Sequence, residues 1–118
     1  MGSITPAQRS LRYLRDQKYT AQVVERWNPY GRVRVDLFGF IDIVAISHFD
    51  GKIFGVQTTS IGNTSTRIKK ILAIPEAKYW LQAGAKIYVH GWGKKGKTGK
   101  RKMWEVVVRE ITLSDFTI

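Results

Sequence analysis

A chain of 118 residues is long enough for one hydrophobic core and too short for two, so a single domain over residues 1–118 is expected. Its 20 Lys and Arg against 9 Asp and Glu leave a formal net charge of +11, an excess that points to a polyanionic partner, nucleic acid first. With no cysteine, thiol catalysis, disulfides and thiolate metal sites are excluded, and with no long apolar run or lipidation pattern a membrane is not an expected partner.

Thr5-Pro6-Ala7-Gln8 reads as an N-cap, a proline at the first helical position and a Gln that closes a capping box. The helix that follows carries Ala7, Leu11 and Leu14 on one face and is expected to end near Lys18. No secretory leader pattern precedes it, so a cytoplasmic location is expected. Thr20 to Trp27 reads as extended, Asn28-Pro29-Tyr30-Gly31 as a turn, and Arg32 to Val35 as a continuation of the sheet. Gly39 predicts a bend or bulge before the run Phe40 to Ile46. Asp50-Gly51 signals a hairpin into a strand from Lys52 to Thr59. Turn residues from Ser60 to Ser65 lead into a helix with Ile68, Ile71 and Leu72 as its stripe. Ile74-Pro75 breaks that helix and restarts it through Leu81, and Gly84 is its left-handed cap. Ala85 to Trp92 and Met103 to Leu113 are strand-like and form a second hairpin. The order αβββαββ predicts an α/β protein with a mixed central sheet flanked by helices.

Asp42 stands inside the apolar run Phe40-Ile41-Asp42-Ile43-Val44-Ala45-Ile46, where an ionised carboxylate is costly unless something pairs it, coordinates it or uses it. A two-residue turn at Asp50-Gly51 sets Phe49 opposite Lys52 and Asp42 opposite Thr59, and period-two alternation then gives Asp42, Gln57 and Thr59 a common face. The plainer alternative is that Asp42 caps a turn or pairs with an Arg while Gln57 and Thr59 are ordinary polar residues of a solvated strand face.

The spacing of Asp42 and Gln57-Thr58-Thr59, on consecutive strands in this element order, resembles the PD-(D/E)xK nuclease superfamily and its restriction-endonuclease-like core. The segments Ala21 to Pro29, Asp36 to Asp42, Val56 to Ser60 and His90-Gly91-Trp92 resemble small phage and prophage proteins related to Holliday-junction resolvases. The resemblance implies metal-dependent phosphodiester hydrolysis on duplex or branched DNA, with Mg²⁺ or Mn²⁺ as cofactor, in a phage-infected or lysogenic cell. Asp42 would be the metal carboxylate. Gln57 stands where the family has an acid and Thr59 where it has a Lys, so Gln57 would ligate through a neutral oxygen and Thr59 would position water or phosphate. Glu25 and Asp36 are the carboxylates available to complete the site, and Lys69 or Lys70 the ammonium from the following helix. A homodimer is a partner the resemblance admits. The alternative function is a catalytically inactive DNA-binding protein that keeps the nuclease fold.

Gly93 to Lys102 carries Lys94, Lys95, Lys97, Lys100, Arg101 and Lys102 with no acid. It reads either as a solvated hairpin tip or as a backbone-binding finger, and the charge of the whole chain favours the finger. Arg26, Arg67, Lys69 and Lys70 are further phosphate-binding candidates. Trp27 and Tyr30, beside Arg26, are the aromatics best placed by sequence for a surface role, whereas Trp92 and Trp104 fit a core equally well. His90 reads as structural, and with His48 it is too isolated for a zinc site.

Overall fold

The computed structural model describes residues 4–95 and 102–116. Helix α1, Pro6–Asp16, starts as its sequence dictates: Gln8 N–H donates to Thr5 Oγ1 at 3.2 Å and Thr5 N–H to Gln8 Oε1 at 3.1 Å. Beyond it Lys18 has φ +73°, and the Arg15 guanidinium donates to the Ala21 carbonyl at 3.0 Å, tying the helix end to the first strand.

Five strands form a mixed sheet in the order β1 (Thr20–Val23), β4 (Ile43–Ile46), β5 (Ile53–Ser60), β6 (Lys86–Lys95) and β7 (Met103–Ile111). All neighbours are antiparallel except β5 and β6, which the crossover of α2 (Thr64–Leu72) and α3 (Pro75–Gln82) makes parallel. Pro75 separates the two helices, and Gly84, at φ +97°, ends the second as its position predicts. Alternating side chains give the sheet two apolar faces. Ile43, Ala45, Phe54 and Val56 pack under α1 with Leu14, while Ile87 and Val89 pack under α2 and α3 with Ile71 and Ala77.

Three expectations are corrected. Thr20 to Trp27 is not one strand, and Arg32 to Val35 does not extend the sheet: β2 (Arg26–Asn28) and β3 (Val33–Val35) pair only with each other, as a separate ribbon. Its turn is the one expected, with Asn28 Oδ1 accepting from the N–H groups of Tyr30 and Gly31 at 3.0 and 3.3 Å. The Asp50-Gly51 turn is also wider than two residues. Ser47 N–H donates to the Lys52 carbonyl at 2.9 Å, enclosing a loop from His48 to Gly51. Ser47 Oγ and Asp50 Oδ1 stabilise it by accepting from Phe49 and Lys52 N–H. Ile43 therefore pairs with Val56, and Asp42 does not sit opposite Thr59.

Gly39, at φ +85°, provides the predicted bend; the turn from Asp36 returns the chain so that Phe40 and Ile41 are fully buried. Gly91 is needed for a different reason. A Cβ there would collide with Thr64 Oγ1 and lie 3.2 Å from Ile61 Cα, so its absence lets the start of α2 settle directly on β6. Across the sheet, Trp92 Nε1 donates to Ser10 Oγ at 2.8 Å, which leaves the hydroxyl hydrogen for His90 Nδ1, also at 2.8 Å. Burial lowers the His90 pKa from 6.5 to about 4, so the ring is a neutral part of the seam between α1 and β6.

Candidate functional site

The site begins with a β-bulge. Ile43 pairs with Val56, and Asp42 N–H also donates to the Val56 carbonyl at 2.9 Å, so two residues of one chain segment face one of the other. The bulge turns the Asp42 carboxylate, only 3% exposed, onto the Gln57-Thr58 step of β5. Asp42 Oδ2 accepts from Thr58 N–H at 2.7 Å, Thr58 Oγ1 at 2.9 Å and Gln57 Nε2 at 2.8 Å.

Glu25 and Asp36 come to the same place because the ribbon carries them. Glu25 immediately precedes β2 and Asp36 immediately follows β3. One carboxylate oxygen from each of Glu25, Asp36 and Asp42 lies within 4.8 Å of the others. Gln57 Nε2 leans toward Asp36 Oδ2 as well, at 3.4 Å. Its other amide atom, Oε1, is buried and has no hydrogen-bond partner among the described residues. Three clustered carboxylates, with an amide beside them whose oxygen has no partner to lose, are a donor set of the kind hard divalent cations take. The side chain offers the carboxylates either its Nε2, as here, or, turned over, its oxygen to a cation.

Burial, and after it the Asp36 carboxylate, push the Asp42 pKa from 3.8 up to about 8, against the opposing pull of the Thr58 hydrogen bonds. The shift favours the protonated form of Asp42 at neutral pH. That proton occupies the role a cation would take: both relieve the repulsion of clustered carboxylates.

A cavity of about 420 Å³ opens over the cluster, at the sheet end where α1 starts and β5 finishes. Thr59, 5% exposed, lines it together with Gln57 and Asp42. Three cationic side chains share the cavity: Arg34 from β3, and Arg67 and Lys70 one turn apart on α2. Arg34 also pairs with Glu25 at 3.6 Å. Lys69 and Arg26 are exposed and do not line the cavity. Lys94 and Lys95 end β6, which is parallel to β5 and runs beyond it, so they extend past the same end of the sheet. Lys102 is exposed beside β7, while Lys97, Lys100 and Arg101 lie outside the described residues.

Arg34 and Thr58 escape the sequence reading. Arg34 stands two residues before Asp36, a spacing that shares a strand face, and that is the signal that could have found it. Thr58 has no such signal, because alternation assigns it to the opposite face from Gln57 and only the bulge brings Asp42 against both. No family model matches the chain, and no curated protein or solved structure matches it. Among the described residues no helix is long and apolar enough to cross a membrane.

Proposed function

We propose that this chain is a divalent-cation-dependent nuclease of the PD-(D/E)xK type acting on DNA, with a restriction-endonuclease-like core. The observation that carries the reading is the convergence of Glu25, Asp36 and Asp42, with the Gln57 amide against two of them, at a cavity that also holds Arg34, Arg67 and Lys70. The five-stranded sheet supports it too, since with the ribbon set aside its strands and helices follow αβββαββ, the two crossover helices counting as one interrupted helix.

Glu25, Asp36 and Asp42 would hold Mg²⁺ or Mn²⁺, with Gln57 contributing its amide oxygen. Such a cation supplies charge neutralisation at the phosphate and acidifies a water molecule for attack on phosphorus. The protein's own groups do the rest. Arg34, Arg67 and Lys70 seat the phosphate and offset charge that builds on it. Lys70 provides, from α2, the ammonium that Thr59 lacks, and the Thr59 hydroxyl is left to orient water or a phosphate oxygen. The Thr58 donors hold Asp42 in place. Lys94 and Lys95 at the end of β6, with Lys102 beside β7, engage the backbone further along, giving affinity without sequence choice. Branched DNA with two scissile strands calls for a homodimer.

A second reading, a DNA-binding protein without hydrolysis, is favoured by Gln57 and Thr59, which bring no charge where an acid and a Lys would serve. Cleavage of labelled single-stranded, duplex, flap and four-way-junction DNA with Mg²⁺ or Mn²⁺ separates the two. We expect cutting that EDTA abolishes and that Asp42→Asn and Glu25→Gln reduce by about 100-fold or more. Binding without cutting on every substrate sinks the nuclease reading and leaves the binder.

A further inference from the structure

The ribbon does more than deliver two carboxylates. Trp27 pairs with Arg34 across it, so by alternation Glu25, Trp27, Arg34 and Asp36 share one face, and Arg26, Asn28, Val33 and Val35 the other. The ion pair between Arg34 and Glu25, a diagonal neighbour on this face, is the contact such sharing predicts. Trp27 thus stands two residues up the strand from Glu25, roughly 7 Å along it. It is 56% exposed, and Tyr30 at the ribbon tip is 98% exposed. An indole this open, opposite an Arg and on the same face as an acid cluster, has no role in either core.

We propose that the β2–β3 ribbon seats an unpaired nucleotide: its base stacks on Trp27, its phosphate meets Arg34, and the adjoining phosphodiester lies over Glu25, Asp36 and Asp42. The substrate class is then a polynucleotide with unpaired bases, whether a single strand, a flap or the opened centre of a junction. This rests on the nuclease reading of the acid cluster and adds the choice of substrate to it. Stacking suits the role because every base has a π-face, so it selects unpaired over paired bases without selecting sequence. In a duplex the same faces are covered by neighbouring base pairs. Charge complementarity points to the same occupant, since Arg34 shares the face of Trp27 and Arg32 lies in the ribbon's turn.

Binding measured in EDTA by fluorescence polarisation isolates the proposal from catalysis. The probes are a thymidine oligonucleotide, a uridine oligoribonucleotide and a DNA duplex of equal length. Trp27→Ala is expected to weaken single-strand binding about 10-fold and duplex binding less than about twofold, with Trp27→Phe recovering most of the loss. The two single strands distinguish a DNA from an RNA preference. Equal losses on single strand and duplex, no loss on either, or no single-strand binding by the wild type would overturn the proposal. Because no cutting is needed, an inactive wild type in the cleavage assay counts against the acid cluster and not against the ribbon.

Discussion

Asp42 gathers three hydrogen-bond donors on one oxygen and is still pushed up to about 8, because removal from water and the Asp36 carboxylate outweigh the donors. The consequence is a stability that falls as pH rises. Asp42 ionises near 3.8 when unfolded and near 8 when folded, so between these values the folded state binds the extra proton and loses its advantage on the way up. His90 has the opposite sign: its pKa falls from 6.5 to about 4 on burial, so its contribution is present above 6.5 and is lost as pH drops toward 4. Of these two groups Asp42 alone acts from pH 8 down to 6.5, where stability should climb; below 6.5 the two oppose each other and the climb should flatten. Urea unfolding in EDTA checks this. Asp42→Asn should remove the climb above pH 6.5, and His90→Gln should let it continue below. A wild type and Asp42→Asn with the same slope from 6.5 to 8 would show that Asp42 is not protonated in the folded protein.

At the scale of elements, the pieces written in short stretches of sequence are the ones legible there. The Thr5 capping box, the Asn28 turn, the Gly39 bend, the Pro75 break and the Gly84 cap each depend on a few neighbouring residues. Strand partnership does not. Arg32 to Val35 has β character whether it joins the sheet or the ribbon, and only tertiary packing decides between them. The hairpin shows how an error can be harmless to a site. His48 to Gly51 replaces a two-residue turn with a four-residue loop, an even change, so the alternation of β5 against β4 is kept and Gln57 still faces the acids. Asp42 and Gln57 were thus legible as partners, whereas Arg34 and Thr58 became visible only with the ribbon register and the bulge. The seat of α2 on β6 is a further element-scale feature with a functional consequence. Gly91→Ala should cost about 1–3 kcal/mol, because the new Cβ meets Ile61 backbone as well as Thr64. It should also shift Arg67 and Lys70 and so weaken the DNA binding that the proposed function requires. Chemical denaturation and a binding titration on the same variant test both, and an unchanged midpoint would show that the start of α2 yields without cost.

Over the whole molecule, the acid cluster is a local reversal of sign in a chain of net charge +11. A surface of that charge would attract polyanions, and Glu25, Asp36 and Asp42 set a small group of acids among the cavity cations Arg34, Arg67 and Lys70. The three acids come from the open base of the ribbon and from the bulge before β4, and the cavity cations from β3 and α2, so the site exists only once the fold is complete. A cation bound there, as the proposed function requires, would displace a proton from Asp42 and stabilise the folded chain by mass action. Titration calorimetry of Mn²⁺ into the free protein at pH 7, in two buffers of different ionisation heat, tests this most directly. One saturable event that releases up to about one proton and disappears in Asp42→Asn is the predicted result. No saturable binding to the wild type, or the same binding without proton release in both proteins, would contradict a cation centre built on Asp42.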